Sequence, residues 1–384
     1  MRVCLLYDCL YPHTVGGAER WYRNLAERLR DEGHELTYLT LRQWDRGDDP
    51  GVEGVDVVAV GPRMALYGPN GIRRILPPLV FGAGVLWHLL RHPRSFDVVH
   101  TASFPYFSLL AAAALRRLGG YTLVADWHEV WSSTYWREYL GRLGRIGEAV
   151  QRLCARAPQH AFCFSALHAE RLRALGLRGE PTVLRGQWAG ALDRPDPAPV
   201  DPVAMFAGRL IPEKRAPALV GAVALAAASR PELRGVIYGD GPEREAVRMA
   251  IEANDATALV SAPGFVDGDE LEEALRHALC LVLPSRREGY GLIVVEAASM
   301  GVPSVVVAGP DNAAVELIEE GVNGFVAPSA APKSLASAIV AVADAGPTLR
   351  QSTADWFGAH SDELSLGRSL TQVLEGYDEV SIRR

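Results

Sequence analysis

The sequence predicts an α/β protein of two domains, each an open, largely parallel sheet with helices packed on it. Three observations carry that prediction. Short apolar runs alternate with amphipathic stretches of helical spacing along nearly the whole chain. At 384 residues the chain exceeds one ordinary domain. A proline-rich segment, Asp193-Arg194-Pro195-Asp196-Pro197-Ala198-Pro199-Val200-Asp201-Pro202, interrupts the alternation near its middle and reads as a stiff linker over 193–202.

In order, residues 3–7 form the first expected strand; the apolar run ends at Asp8 and is too brief for a signal peptide. A loop over 8–15 leads to Gly16-Gly17. Residues 18–30 then carry Trp21, Leu25 and Leu29 on one helical face, and Gly33 closes the helix. Strands follow at 35–41 and 55–60. The stretch 72–90 approaches membrane-spanning length, but Pro77, Pro78, Gly82, Gly84 and His88 interrupt it, which excludes a transmembrane helix. Arg73, Arg74, Arg91 and Arg94 flank it, so two roles stay open: a core-packing helix, or an apolar face laid on an anionic membrane. Strands at 96–100, 121–125 and 161–164 and helices at 143–156 and 166–175 complete the first half. The second half has strands at 203–207, 235–238, 259–262, 278–283 and 304–308. It has helices from about 216, after Pro242 and over 269–278, turns at 309–312 and 323–325, and a mostly helical end over 334–377.

A hydrophobic content of 48% with 22% charged residues describes a globular chain able to bury a sizeable core. The net charge of -7 argues against a nucleic-acid binder of the simple basic kind. Five cysteines show neither a Cys-x-x-Cys pair nor zinc-ligand spacing, so a reduced, cytoplasmic protein without a structural metal is expected.

The stretch Pro284-Ser285-Arg286-Arg287-Glu288-Gly289-Tyr290-Gly291-Leu292-Ile293-Val294-Val295-Glu296 organises the rest. It runs strand, loop, helix start, which is where open α/β sheets bind anionic ligands. The glycines allow close backbone approach. Glu288 in the loop and Glu296 about a turn and a half into the helix suit a ligand with hydroxyls at both ends and a diphosphate between, as in a nucleotide sugar. Gly16-Gly17 forms a second candidate anion turn. Of the 39 basic residues only Lys214 and Lys333 are lysines, so Lys214, beside Gly208 and Arg209, points to a compact ammonium aimed at phosphate oxygens. His100 is placed at one strand tip and Asp126-Trp127-His128-Glu129 after the next. There His128 is the expected site residue, and Trp127, Trp131 and Trp136 are expected to shape a sugar pocket.

Taken together and in this order, Gly16-Gly17, His128, Gly208-Arg209 with Lys214, Gly239-Asp240-Gly241-Pro242-Glu243, and Glu288 with Glu296 resemble the retaining family 4 glycosyltransferases of GT-B fold. The resemblance implies two Rossmann-like domains facing a central cleft. The first, over 1–192, would hold the acceptor; the second, over 203–363, would hold a GDP-, UDP- or ADP-linked sugar, and a last helix over about 364–384 would pack back on the first. It implies donor contacts from Gly16, Gly17, Gly208, Gly239, Phe265, Val266, Arg286, Gly289, Tyr290, Gly291, Leu292 and Glu296, and catalytic contacts from His128, Arg209, Lys214 and Glu288. No metal and no cofactor beyond the donor substrate is implied. Arg286-Arg287 and Tyr290 depart from the commoner pattern. The expected reaction is hexosyl transfer with retention to an acceptor hydroxyl, in glycolipid, polysaccharide or glycoconjugate synthesis, with a sugar or lipid-linked acceptor and contact at the inner face of the cell membrane left open. A sugar-nucleotide epimerase or phosphorylase, and a non-catalytic nucleotide- or glycan-binding subunit, are the alternatives.

Overall fold

The computed structural model describes the chain except residues 15, 46, 67, 69–72 and 383–384; Val15 and Ile72, ends of two stretches named above, lie outside the described residues. The chain divides into two compact units. The first takes the described residues of Met1–Gly68, Ile72–Gln187 and Gly367–Arg384, and the second takes Trp188–Leu366.

In the first unit β1 (Arg2–Leu6) leads through α1 (Gly17–Asp31) to β2 (Glu35–Leu41) and β3 (Asp56–Gly61). Then come α2 (Leu76–Arg91), β4 (Val98–Ala102), α3 (Tyr106–Gly119), β5 (Thr122–Trp127), α4 (Ser133–Leu140), α5 (Gly144–Arg156), β6 (His160–Cys163), α6 (Ala166–Leu175) and the short β7 (Thr182–Val183). The strands are parallel, in order β3-β2-β1-β4-β5-β6-β7. Alternate strand residues face opposite ways. Cys4, Leu6, Leu39, Val99, Leu123, Ala125 and Cys163 pack with Phe81 and Val85 of α2, Leu109 of α3, Cys154 of α5 and Leu172 of α6, which places those four helices on one face. On the other face Tyr22 of α1 meets Tyr38 and His100 edge-on.

In the second unit β8 (Val203–Ala207), α7 (Pro217–Ala227), β9 (Arg234–Tyr238), α8 (Arg244–Ala253), β10 (Val260–Gly264), α9 (Gly268–His277) and β11 (Cys280–Leu283) lead to the two-residue β12 (Arg287–Glu288). Next come α10 (Leu292–Ala298), β13 (Ser304–Val307), β14 (Asp311–Asn312), β15 (Gly324–Ala327) and α11 (Pro332–Leu364); α12 (Leu366–Ile382) ends the chain. The main sheet is parallel, in order β10-β9-β8-β11-β13-β15. Its core holds Phe206, Leu219, Val223, Ile237, Val282, Val305, Leu335 and Ile339. Gly346, at φ 56°, breaks α11 immediately before Pro347.

Several expectations are corrected. The turn expected at 323–325 lies earlier, at Gly321 (φ 76°), and Gly324 opens a strand. A Cβ on Gly324 would sit 1.9 Å from the Ser304 carbonyl oxygen, so glycine serves close strand approach there. The turn expected at 309–312 contains β14, which pairs in parallel with β12. Pro242 stands two residues ahead of α8 rather than opening it. His100 is the third residue of β4, paired with Leu5 and Val124, not a strand tip.

Candidate functional site

In a doubly wound sheet, loops at the carboxyl ends of strands that flank the reversal of strand order form the ligand crevice. In the second unit that reversal lies between β8 and β11, so the loops after these strands, 208–216 and 284–291, meet there. Gly208 (φ 156°) leaves β8 with its N–H donating to the Tyr238 carbonyl at 3.1 Å. Gly239 (φ 130°) lies against it: a Cβ would come within 1.9 Å of the Gly208 carbonyl oxygen, and one on Gly241 within 2.4 Å of that of Leu210. These glycines let two backbone turns cross. They fix the loop that carries Arg209 and Lys214.

Lys214 ends a 3-10 turn over Pro212–Lys214, and its Nζ lies 2.5 Å from Oε1 of Glu288, with side chains 21% and 10% exposed. The Arg286 N–H donates to the Glu213 carbonyl at 2.8 Å, tying the two loops together at the backbone as well. Glu288 is held by β12–β14 pairing, and Asn312 of β14 donates to the carbonyls of Ser285 (3.2 Å) and Val307 (2.8 Å). Arg209 is exposed, and its guanidinium has no protein partner among the described residues. Gly289 is half-buried and Tyr290 buried. Gly291 takes φ 101° as it opens α10, where a Cβ would meet that of Ala314 at 2.7 Å. Leu292 begins α10 and Glu296, half-buried, is its fifth residue. With seven residues α10 makes about two turns, so the positive charge of this site comes chiefly from side chains rather than from the helix dipole emphasised by the sequence. After β10, Val266 is half-buried and Phe265 stands 81% exposed.

The first unit places Gly16 and Gly17 at the start of α1, Gly16 in extended backbone at φ -171°. The buried carboxylate of Glu19 lies over this turn, with Oε2 2.3 Å from where a Gly16 Cβ would stand, so a negative group already sits where the sequence pointed to an anion site. His128 follows β5. Its ring stacks on Phe164 at 4.5 Å and 8°, and its Nε2 is buried without a hydrogen bond. Burial drives its pKa down to about 4, against a partial upward pull from Asp126, so the imidazole is neutral at pH 7. Asp126 anchors a buried network: Oδ1 lies 2.8 Å from His100 Nε2, Oδ2 accepts from Trp21 Nε1 at 2.7 Å, and His100 Nδ1 meets the Tyr377 hydroxyl at 2.6 Å. Burial pushes the Asp126 carboxyl up, but His100, His128 and the Trp21 N–H together pull it further down, so it stays ionised.

Sequence reasoning missed this network, whose members lie far apart in the chain. It also missed the buried pair of Asp8 with Arg73, whose guanidinium lies 5.0 Å over the Phe104 ring; Asp8, two residues past the end of β1, was the available signal. The tryptophan pocket is a correction: Trp127 and Trp136 are buried in the core, and Trp131 packs on Trp136 at 4.6 Å, so their faces are spent on packing. Among the described residues no group of three or more His, Cys, Asp or Glu is placed to hold a metal ion.

Residues 15–184 match the family model described as Glycosyltransferase Family 4, and residues 194–353 match that described as Glycosyl transferases group 1. The chain is 26% identical over 365 residues to a glycogen synthase of Mycobacterium tuberculosis, covering 89% of this chain and 85% of the relative. It is 27% identical over 323 residues to a GDP-mannose-dependent alpha-mannosyltransferase of that species, covering 79% and 78%. A sucrose-phosphate synthase from Thermosynechococcus elongatus shares the fold with a TM-score of 0.79 at 17% identity over 100% of both chains. Anabaena HepE, solved with UDP and glucose, does so at 0.73 and 19% over 98% of this chain and 99% of that one. With both halves matched in order on two parallel α/β units, the chain is a glycosyltransferase of GT-B fold and belongs to the group 1, family 4 glycosyltransferases.

Proposed function

We propose that the chain moves a hexose, with retention, from a nucleoside-diphosphate sugar to an acceptor hydroxyl, and that the second unit holds the donor. The observation that carries this is the Lys214–Glu288 pair beside the unpartnered Arg209. A diphosphate takes Lys214 and Arg209 as its counter-charges, and Glu288 turns to the sugar hydroxyls. Glu296 accepts from the ribose diol, the exposed Phe265 with Val266 lines the base, and Gly208, Gly239, Arg286 and the backbone over 289–292 shape the phosphate and sugar sides. UDP- and GDP-linked donors come first, because relatives carry UDP and glucose or are named for GDP-mannose.

In the reaction the bond between the anomeric carbon and the phosphate oxygen breaks through an oxocarbenium-like state, and the acceptor oxygen bonds to that carbon on the face the phosphate leaves. The departing phosphate takes the acceptor proton on the same face while Arg209 and Lys214 stabilise its growing charge, a role that does not call for a divalent ion. In the first unit the neutral His128, with its free Nε2, accepts a hydrogen bond from a sugar hydroxyl. Gly16 and Gly17 approach the acceptor through backbone N–H groups.

Thermal unfolding with a panel of nucleotide sugars and nucleoside diphosphates tests the donor assignment. Ligand at about 100 times its Kd adds about 2.7 kcal/mol, a shift of several degrees. We expect one nucleotide family to raise Tm and Glu296→Ala to abolish the rise. A folded protein that responds to none of them overturns the proposal.

A further inference from the structure

We infer that the outer surface of α2, with the exposed apolar residues of α5 on the same side of the sheet, is a docking face for an anionic bilayer. A helix on the outside of an α/β unit normally shows one apolar stripe, and α2 shows two. Its inner stripe, Phe81, Gly82, Val85 and Leu89, is buried against α3 and the sheet. Its outer stripe, Leu76, Leu79, Leu86, Trp87 and Leu90 with the exposed Ala83 between, lies on the opposite side of the helix, with Trp87 58% exposed. Isolated exposed leucines need no explanation, whereas an aligned row capped by a tryptophan marks an interaction surface. On α5, in the same layer, Ile146 and Leu153 are exposed, as is Leu143 just before it.

Charge identifies the occupant. The chain as a whole carries -7, yet residues 73–156 hold eleven arginines and five acids, and no acidic residue stands anywhere between Asp56 and Asp97. Arg74, Arg91 and Arg94 at the ends of α2, and Arg142, Arg145 and Arg152 on and beside α5, are all exposed. Arg91 lies 4.3 Å over the Trp87 ring, an arrangement suited to the headgroup level, where the indole is half-immersed and the guanidinium meets lipid phosphate. A protein partner would need acidic groups to match this rim and an apolar face to match the stripe; an anionic bilayer presents both at once. At 16 residues α2 is roughly 24 Å long, shorter than a bilayer core, and no described helix is long and apolar enough to cross one, so the face lies on the membrane. Arg73, expected with the flanking basic residues, is turned inward to Asp8 and takes no part.

The full chain is sedimented with phosphatidylcholine vesicles carrying roughly one-third phosphatidylglycerol, at about 50 mM and about 500 mM salt, where the Debye length falls from roughly 14 to 4 Å. We expect clear binding at low salt, several-fold less at high salt and less on phosphatidylcholine alone. Leu86→Glu with Trp87→Glu should reduce binding about tenfold or more at unchanged Tm, since both side chains are exposed. No binding at low salt, or equal binding by the double variant, overturns the inference. So does a dimer in sedimentation velocity that the double variant disperses without any vesicle binding, which assigns the face to a second copy of the chain.

Discussion

Acidification is predicted to destabilise the first unit through His128. An unfolded imidazole titrates near 6.5, while burial holds the folded one at about 4. Between these values the unfolded chain binds a proton that the folded chain does not, so stability falls as pH falls. The full contribution is present above about 6.5 and is lost by about 4. The difference corresponds to about 3 kcal/mol, a large share of the 5–15 kcal/mol typical of a domain. For a unit of this size that is a fall in Tm of about 6–12 °C. Asp126 does not mimic the effect: its carboxyl is held below the ordinary 3.8, so its contribution is lost only at pH below about 4. His34 and His88, both lowered chiefly by burial, add slopes of the same sign, but equally in wild type and variant. Urea unfolding followed by tryptophan emission at several pH values, in wild type and His128→Gln, isolates the term. The variant should lose most of the slope between pH 6.5 and 4. Equal slopes in the two proteins, or an imidazole resonance assigned to His128 that titrates near 6.5, would refute the reasoning.

The remaining predictions concern the second unit. Lys214→Ala and Arg209→Ala should each lower kcat about 10²- to 10³-fold, as removal of an oxyanion donor does, at Tm changes of a few degrees at most; near wild-type transfer by both would sink their assigned role. Gly239→Ala drives a methyl group into the Gly208 carbonyl, so we expect a loss of about 1–3 kcal/mol with a parallel fall in activity, and an unchanged Tm would show that the two turns do not need their close crossing.

The parts of this molecule that were legible in the sequence are those set by neighbours in the chain. The spacing of Trp21, Leu25 and Leu29 fixes α1, and all three are buried. Lys214 stood out because the chain spends arginine almost everywhere else, and the loop between β8 and α7 does hold it against Glu288. Which residue it meets, 74 positions on, was not legible, because that depends on β8 and β11 being adjacent across the reversal of strand order. Gly239 was legible as a turn glycine and, by resemblance, as a donor contact; that its turn crosses that of Gly208 was not legible, because a glycine signals close approach without saying of what. Trp127, Trp131 and Trp136 were misread for a related reason: aromatic side chains that could shape a sugar pocket also fill cores, and only tertiary packing decides which.

The place of the last helix follows from handedness. Parallel crossovers are right-handed, so β3 to β4, β4 to β5, β5 to β6 and β6 to β7, all advancing in one direction, put α2, α3, α5 and α6 on one face of the first sheet. β1 to β2 and β2 to β3 advance the other way; the first puts α1 opposite and the second carries no helix among the described residues, which leaves the reverse of β4, β5 and β6 without a helix from its own crossovers. His100, Val124 and Phe162 point that way, and such a surface cannot stay bare in water. The chain end supplies the cover: Val373 and Tyr377 of α12 are fully buried, and Gly376 lies so close to Phe162 that a Cβ would stand 3.0 Å from its ring. Because β4 and β5 are the strands beneath, the cover reaches the polar groups there, and the Tyr377 hydroxyl meets His100 Nδ1, whose other ring nitrogen lies 2.8 Å from Asp126. Asp126 stands two residues before His128, whose charge state it influences. The helix that topology requires to finish the first sheet thus also completes the hydrogen-bonded support beneath the imidazole assigned to the sugar.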